Sequence, residues 1–286
     1  MVSSRQESVV GRLSNTSTPR EPPANRERPA MNDQRRTTTI FDVCNPQLRI
    51  RPKQYILLPS SPPHSMAKLF ELPRYIAVEG PIRVGKSTLA RVLGERLAAQ
   101  RVVEPEDNPF LKAFYEGEPG AAFQTQLAFL IRRFEQLRAL DLGPRSNQTV
   151  VSDYIFEKDK LFACLNLNDH ELDTYNRYFN YFREQVPTPD LVIYLQATPE
   201  VLKKRLKKKN ASNEKSISED YLMEVVKAYE HFFFHYTQSD LLIVNTNEID
   251  FVDRNEDLQE LLKKVSAPIK GTQYFLPLGG ENAASA

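Results

Sequence analysis

No stretch of this chain approaches the roughly 18 consecutive apolar residues of a membrane-crossing helix, and no hydrophobic segment near Met1 reads as a secretory signal. Membrane spanning and secretion are therefore not expected, and no membrane partner is assigned. Cysteine is almost missing: Cys44 and Cys164 are the only two among 286 residues, too few for a disulfide framework and suited to a reducing compartment. No internal repeat is visible. Positive charge is also short where a folded body would need it. Residues 1–65 hold ten basic against five acidic side chains, which leaves 28 basic against 32 acidic in the rest. A mildly acidic body argues against a nucleic-acid partner. His231 and His235 stand at i, i+4, but inside an aromatic run with no third ligand at useful spacing, so a packed helix is expected there and not a metal site.

The first 65 residues are rich in Ser, Thr, Pro and Arg, have few large apolar residues before Ile40, and read as a disordered N-terminal extension. Two explanations stay open. Translation starts at Met66-Ala67, just before the first strand, or the segment is a transit peptide, with Arg5, Arg12 and Arg20 against Glu7 alone in its first 20 residues. The expected compartment is the cytoplasm, with an organelle as the alternative in the second case. The remainder is divided into a domain at 66–270 and a C-terminal tail at 271–286. With 41% hydrophobic residues the chain can bury a full core.

From Tyr75 onward strand and helix patterns alternate. Strands are predicted at 75–79, 101–103, 149–152, 191–195 and 241–245, and the last two are continuous apolar runs, as in strands covered on both faces. Helices are predicted at 121–141, 155–184, 199–209, 219–237 and 255–265. The expected fold class is α/β, with a five-stranded parallel sheet flanked by helices in three layers, and the run Gly-Pro-Ile-Arg-Val-Gly-Lys-Ser at 80–87 makes it a P-loop NTPase fold.

The P-loop is the strongest single signal. Residues 80–87 read Gly-Pro-Ile-Arg-Val-Gly-Lys-Ser, matching G-x-x-x-x-G-K-[ST]. A β-prone segment precedes it, and from Thr88 to Ala99 the apolar residues Leu89, Val92, Leu93 and Leu97 recur at helical spacing. Loop N–H groups and the positive end of the following helix suit phosphate oxygens. Gly80, Gly85, Lys86, Ser87 and Thr88 are the expected ATP contacts, with Lys86 on the β/γ-phosphates and Ser87 on Mg²⁺.

In open parallel sheets, ligands lie beyond the carboxyl ends of the strands. Strand two ends in Glu104-Pro105 and strand three in Asp153. Beside a phosphate loop, Asp153 fits a Mg²⁺-holding acid and Glu104 the general base for an acceptor hydroxyl. A dense basic stretch from Lys203 to Lys215 is read as a lid that carries cations onto the transferring phosphoryl group.

Taken in order, Gly80–Ser87, Glu104-Pro105, Asn108-Pro109, Phe123-Gln124, Asp153, Pro189 through Leu195 with Pro199-Glu200, and a lid ending in Glu214 resemble the deoxyribonucleoside kinase family, most closely its bacterial deoxyadenosine/deoxyguanosine kinase-like branch. The resemblance runs from about Tyr75 to about Val252. It implies ATP-dependent phosphorylation of a deoxynucleoside 5′-hydroxyl in nucleotide salvage, and it suggests a homodimer. Carried over by position, Glu104 resembles the hydroxyl's base and Gln124 the reader of the nucleobase edge. Tyr115 and Glu214 resemble the pair on the sugar 3′-hydroxyl, and Arg205 a lid arginine over the donor phosphates. Phe110, Phe114 and Phe123 are equally readable as base-site walls or plain core. Asp159 falls near a base-reading position of some members, though Ile131 replaces the usual partner arginine.

Three departures stand out. Arg83 occupies a loop position where the family often has Gly, Tyr154 follows Asp153 where an Arg is common, and the lid has Lys209 and Ala211 where two arginines are expected. Arg132, Arg133, Lys158 and Lys160 are candidates to supply the missing charge. These departures keep two alternatives open: a P-loop kinase for another small alcohol or a nucleoside monophosphate, and a nucleotide-binding regulatory protein with little catalysis.

Overall fold

The computed structural model describes residues 73–105, 107–209 (the Lys209 side chain excepted) and 218–276. The extension at 1–65 and the end of the tail lie outside the described residues. Strands β1 (Tyr75–Glu79), β2 (Gln100–Val102), β3 (Val150–Ser152), β4 (Leu191–Gln196), β5 (Asp240–Asn245) and β6 (Thr272–Phe275) form one sheet in the order β2-β3-β1-β4-β5-β6. Every pairing is parallel. The sheet thus has six strands, where five were expected. The sixth comes from the stretch assigned to a tail: four residues, with alternating exposed and half-buried side chains, following Gly271. So short an edge strand has no apolar run to announce it.

The helices are α1 (Lys86–Arg96), α2 (Leu111–Glu116), α3 (Ala121–Arg138), α4 (Lys158–Asn166), α5 (Asp169–Arg183), α6 (Pro199–Lys209), α7 (Glu219–Phe234) and α8 (Asn255–Val265). The long helix predicted at 155–184 is two helices. Leu167 is extended, and Asn168 starts α5 with a capping box: its side chain accepts from Glu171 N while the Glu171 carboxylate accepts from Asn168 N. Short α2 was not foreseen; it ends at Gly117, with φ 75°.

Successive residues of the central strands feed opposite cores. Tyr75, Ala77, Val192, Tyr194, Leu241 and Ile243 join side chains of α3, α4, α5 and α7. Ile76, Val78, Leu191, Ile193, Leu195, Leu242 and Val244 join α1, α8 and parts of α6 and α7 on the other face. This is the three-layer arrangement of a parallel sheet. From β1 the chain goes first to β2 and β3 on one side and then to β4, β5 and β6 on the other, so the reversal falls at the carboxyl end of β1. There the phosphate loop begins. Among the described residues, no helix is long and apolar enough to cross a membrane.

Candidate active site

The phosphate loop is shaped by two glycines and one strained residue. Gly80 has φ 148°, and a Cβ there would stand 2.4 Å from the Leu195 carbonyl oxygen. Gly85 has φ 112°, and its Cβ would stand 2.6 Å from the Phe251 ring. Neither position tolerates a side chain. Between them Arg83 sits at φ 61°, a left-handed conformation that costs an L-residue about 1–2 kcal/mol. Glycine would adopt that backbone without the cost. Helix α1 then opens without a side-chain cap and without an acidic residue in its first turn, so its positive end is uncompensated and faces the loop. The Lys86 ammonium donates to the carbonyls of Gly80 and Pro81 at 2.8 and 3.0 Å. Burial and then the Lys158 charge pull Lys86 down to about 8, against Glu79, Glu104 and Asp153. Arg83, Gly85, Lys86, Ser87 and Thr88 line one cavity of about 340 Å³, together with Arg205, Lys208 and residues of the 250–253 loop.

Glu79 is a part of this loop that sequence reasoning passed over as the end of a strand. Fully buried, its carboxylate accepts from Gly80 N at 2.8 Å, Tyr229 Oη at 3.0 Å and Ile155 N at 3.0 Å. It therefore ties the loop's first residue to α7 and to the turn leading into α4. An acid closing an otherwise apolar strand was the available signal.

The second half of the site gathers at the ends of β2 and β3. Asp153, buried, accepts from the Glu104 backbone N–H at 2.7 Å and so fixes the course of the chain beyond β2. The Glu104 carboxylate is held by two cations: Arg133 reaches Oε1 at 2.6 Å and Lys158 reaches Oε2 at 2.7 Å. Burial alone would raise Glu104, but Lys158, Arg133 and Lys86 outweigh it and hold the carboxyl well below the usual range. Arg133 also binds Asp159, which is wholly buried. Burial pushes Asp159 up to about 6 despite Arg133, with Glu104 adding repulsion. Asp159 Oδ2 and Arg133 Nε of this pair lack a hydrogen-bond partner among the described residues, as do Tyr175 Oη, close enough to feel both charges, and Thr125 Oγ1 earlier on α3. Groups left in this way are costly unless a ligand or water meets them.

The four candidates for the missing charge separate cleanly. Arg132 pairs with Asp107 at 3.1 Å on the surface, and the Lys160 ammonium lies 5.9 Å from the Phe179 ring centre. Arg133 and Lys158 converge on Glu104. Tyr154 is fully buried and donates to Gln136 Oε1 at 2.7 Å, so it does not stand in for an arginine. Arg205 is placed differently from a lid residue free to close. Its guanidinium donates to Val84 O, Thr246 Oγ1, Thr246 O and Ile249 O, at 2.7–3.4 Å, which makes it a tie between α6, the phosphate loop and the stretch after β5. Lys208 pairs with Asp253 and, at 3.6 Å, with Asp250; Lys203 pairs with Glu219. Tyr115 lies on α2, its ring 5.5 Å from that of Phe114, and Gln124 is exposed in the first turn of α3. Glu214 lies outside the described residues. His231 and His235 pack ring to ring at 4.5 Å, and among the described residues no three His, Cys, Asp or Glu side chains converge as a metal cluster.

A family model described as Deoxynucleoside kinase matches residues 76–270, which takes in the phosphate loop, both halves of the site and the sheet up to β5. The chain belongs to this family. The deoxyguanosine kinase of Bacillus subtilis strain 168 is 32% identical over 197 residues, covering 67% of this chain and 95% of that protein. The deoxyadenosine kinase of Dictyostelium discoideum is 32% identical over 211 residues, covering 72% and 85%. Among solved structures, a deoxyadenosine kinase from M. mycoides with bound dATP shares the fold at a TM-score of 0.57 and 24% identity, over 67% of this chain and 99% of that one. This kinase therefore has a nucleoside substrate and a nucleotide phosphate donor, and Glu104, Lys86 and Asp153 lie where its sheet brings them together.

Proposed function

We propose that this kinase transfers the γ-phosphoryl group of ATP to the 5′-hydroxyl of a deoxynucleoside, with Glu104 receiving the hydroxyl and Lys86 the donor phosphates. The observation that carries the reading is the Glu104 carboxylate, held ionised between Arg133 and Lys158 and within electrostatic reach of Lys86. A carboxylate so stabilised is a weak base toward a free alcohol. In a loose phosphoryl-transfer transition state the hydroxyl proton becomes acidic only as the new bond forms. Glu104 then orients the hydroxyl first and accepts its proton late.

The Ser87 hydroxyl and the Asp153 carboxylate are hard oxygen donors, and Mg²⁺ takes a few such ligands together with phosphate oxygens. These two residues would hold it, and when bound it neutralises charge on the β- and γ-phosphates. On the acceptor side, Gln124, Tyr115 and Glu214 remain the proposed contacts to base and sugar. The unpartnered atoms of Asp159, Arg133 and Thr125 offer both donors and acceptors to a base edge. A homodimer is the proposed assembly, supported by Tyr178 and Tyr181, which are exposed on α5. The cytoplasm is the proposed compartment.

The test is an ATP-consumption assay across purine and pyrimidine deoxynucleosides with chromatographic identification of the product. A deoxynucleoside 5′-monophosphate is expected. If none of the deoxynucleosides raises ATP consumption above background, the reading fails.

A further inference from the structure

For Glu104 to accept a hydroxyl, one of its oxygens must be vacated, and the two cations are not equally able to leave. Arg133 is pinned: it is 4% exposed, also binds Asp159, and lies with its guanidinium carbon 4.7 Å from the Phe129 ring centre. Lys158 is held at its charged end by Glu104 Oε2 and has a flexible four-carbon stem from the first residue of α4. The hydroxyl therefore enters at Oε2 and displaces Lys158.

Among the described residues, most cations around the donor cavity are already engaged with the protein. Arg205 is engaged with four oxygens of the protein, Lys208 and Lys203 are paired with acids, and Tyr154 offers no charge at all. Lys86 is a single ammonium facing a polyphosphate that gathers charge on the bond being broken. The Lys158 ammonium is buried against Glu104, 2.7 Å from its carboxylate, and close enough to Lys86 for the two charges to repel.

Resting on the kinase reading above, we propose that Lys158 is a catalytic residue: displaced from Glu104 by the acceptor hydroxyl, its ammonium hydrogen-bonds the transferring phosphoryl group. In the step it serves, the acceptor oxygen forms its bond to Pγ while the bond from Pγ to the β,γ-bridging oxygen breaks. That electron pair stays on ADP, and the hydroxyl proton goes to Glu104 Oε2. Lys158 keeps its proton throughout and supplies charge where the guanidinium expected at position 154 is missing. The mutual repulsion of Lys86 and Lys158, which lowers Lys86, disappears once anionic oxygens lie between them.

The experiment compares the unchanged enzyme with Lys158→Gln, which keeps a hydrogen bond to Glu104 but no charge, and with Lys158→Arg. For Lys158→Gln, kcat is expected to fall by about 10²–10³-fold, the usual effect of removing one donor to developing charge. KM for the deoxynucleoside and Kd for ATP should move much less. Binding of ADP with aluminium fluoride and the deoxynucleoside, a mimic of the transition state, should weaken by the same factor as kcat. Lys158→Arg should recover at least part of both. If Lys158 served only to hold Glu104, Lys158→Gln, whose amide still bonds the carboxylate, would leave kcat nearly unchanged and mimic binding intact; that result overturns the proposal. A variant that does not fold is replaced by Lys158→Met under the same three readouts. Loss of deoxynucleoside turnover in the unchanged enzyme would overturn the kinase reading itself, a separate outcome.

Discussion

The donor half and the acceptor half of this site are built by different means. On the donor side the backbone does the shaping: Gly80 and Gly85 bring the loop against Leu195 and Phe251, and α1 presents an uncapped N-terminus. The residues of the loop itself, from Glu79 to Thr88, are consecutive. On the acceptor side, side chains do the shaping. Glu104 follows β2, Arg133 comes from α3, and Lys158 and Asp159 from α4, and they meet in one chain of charges, buried except at Glu104, which is part-exposed. The first kind of site survives in sequence as a pattern. The second depends on the fold having formed, because its members are brought together only by the sheet.

The largest effect should come from the donor side. Lys86→Ala removes the ammonium that meets the β/γ-phosphates, and turnover should drop by about 10³-fold or more. Steady-state rates on a variant with an unchanged melting temperature check this. Near-normal turnover would detach the loop from the chemistry and erase the contrast between the halves.

A pH titration sharpens the comparison from the acceptor side. Asp159 is raised to about 6, so between its ordinary value and about 6 the folded protein holds a proton that the unfolded chain has released. The associated stability is present at low pH and is lost as pH rises through about 6, a change on the order of 1–3 kcal/mol. Above that pH the ionised carboxylate holds Arg133 most firmly. Below it, the deoxynucleoside KM should rise while ATP affinity stays level. Denaturant titrations and initial rates from pH 5 to 8 test both statements, and Asp159→Asn should abolish both steps. An identical pH dependence for the two substrates would mean that the halves are not separate.

The smallest expected effect concerns the strained loop residue. Arg83→Gly relieves a left-handed residue but gives the unfolded chain more freedom, so a net stabilisation of about 1 kcal/mol or less is expected. A rise in the urea midpoint at constant slope would show it. A clear loss of stability would mean that the Arg83 side chain contributes more than its backbone costs.

Legibility in the sequence follows the same division. The phosphate loop, the apolar strands β4 and β5, and the placement of Glu104 and Asp153 at strand ends could be read because each is local. The edge strand β6 could not, since four residues of alternating exposure carry no core signal. The break between α4 and α5 was encoded in Asn168 and Glu171, a capping signal inside a longer helical pattern. Arg133 and Lys158 could only be entered among four candidate cations. No spacing rule links residue 104 to residues 133 and 158; that link exists only once α3 and α4 pack against β3. The surroundings of Arg205 were illegible for a related reason. Position told that it stood near the donor site, but not that carbonyls of the protein would occupy its guanidinium.

The central claim is that the acceptor half performs chemistry that the donor half does not need for binding. Glu104→Gln tests it most directly, because the amide keeps the shape of the carboxylate but cannot take the hydroxyl proton. Single-turnover phosphorylation of a deoxynucleoside and equilibrium binding of ATP are measured on the same preparation. The predicted result is a rate lower by about 10²–10⁴-fold with ATP affinity nearly unchanged. A variant that keeps most of its rate, or that loses ATP affinity in step with rate, would contradict the account.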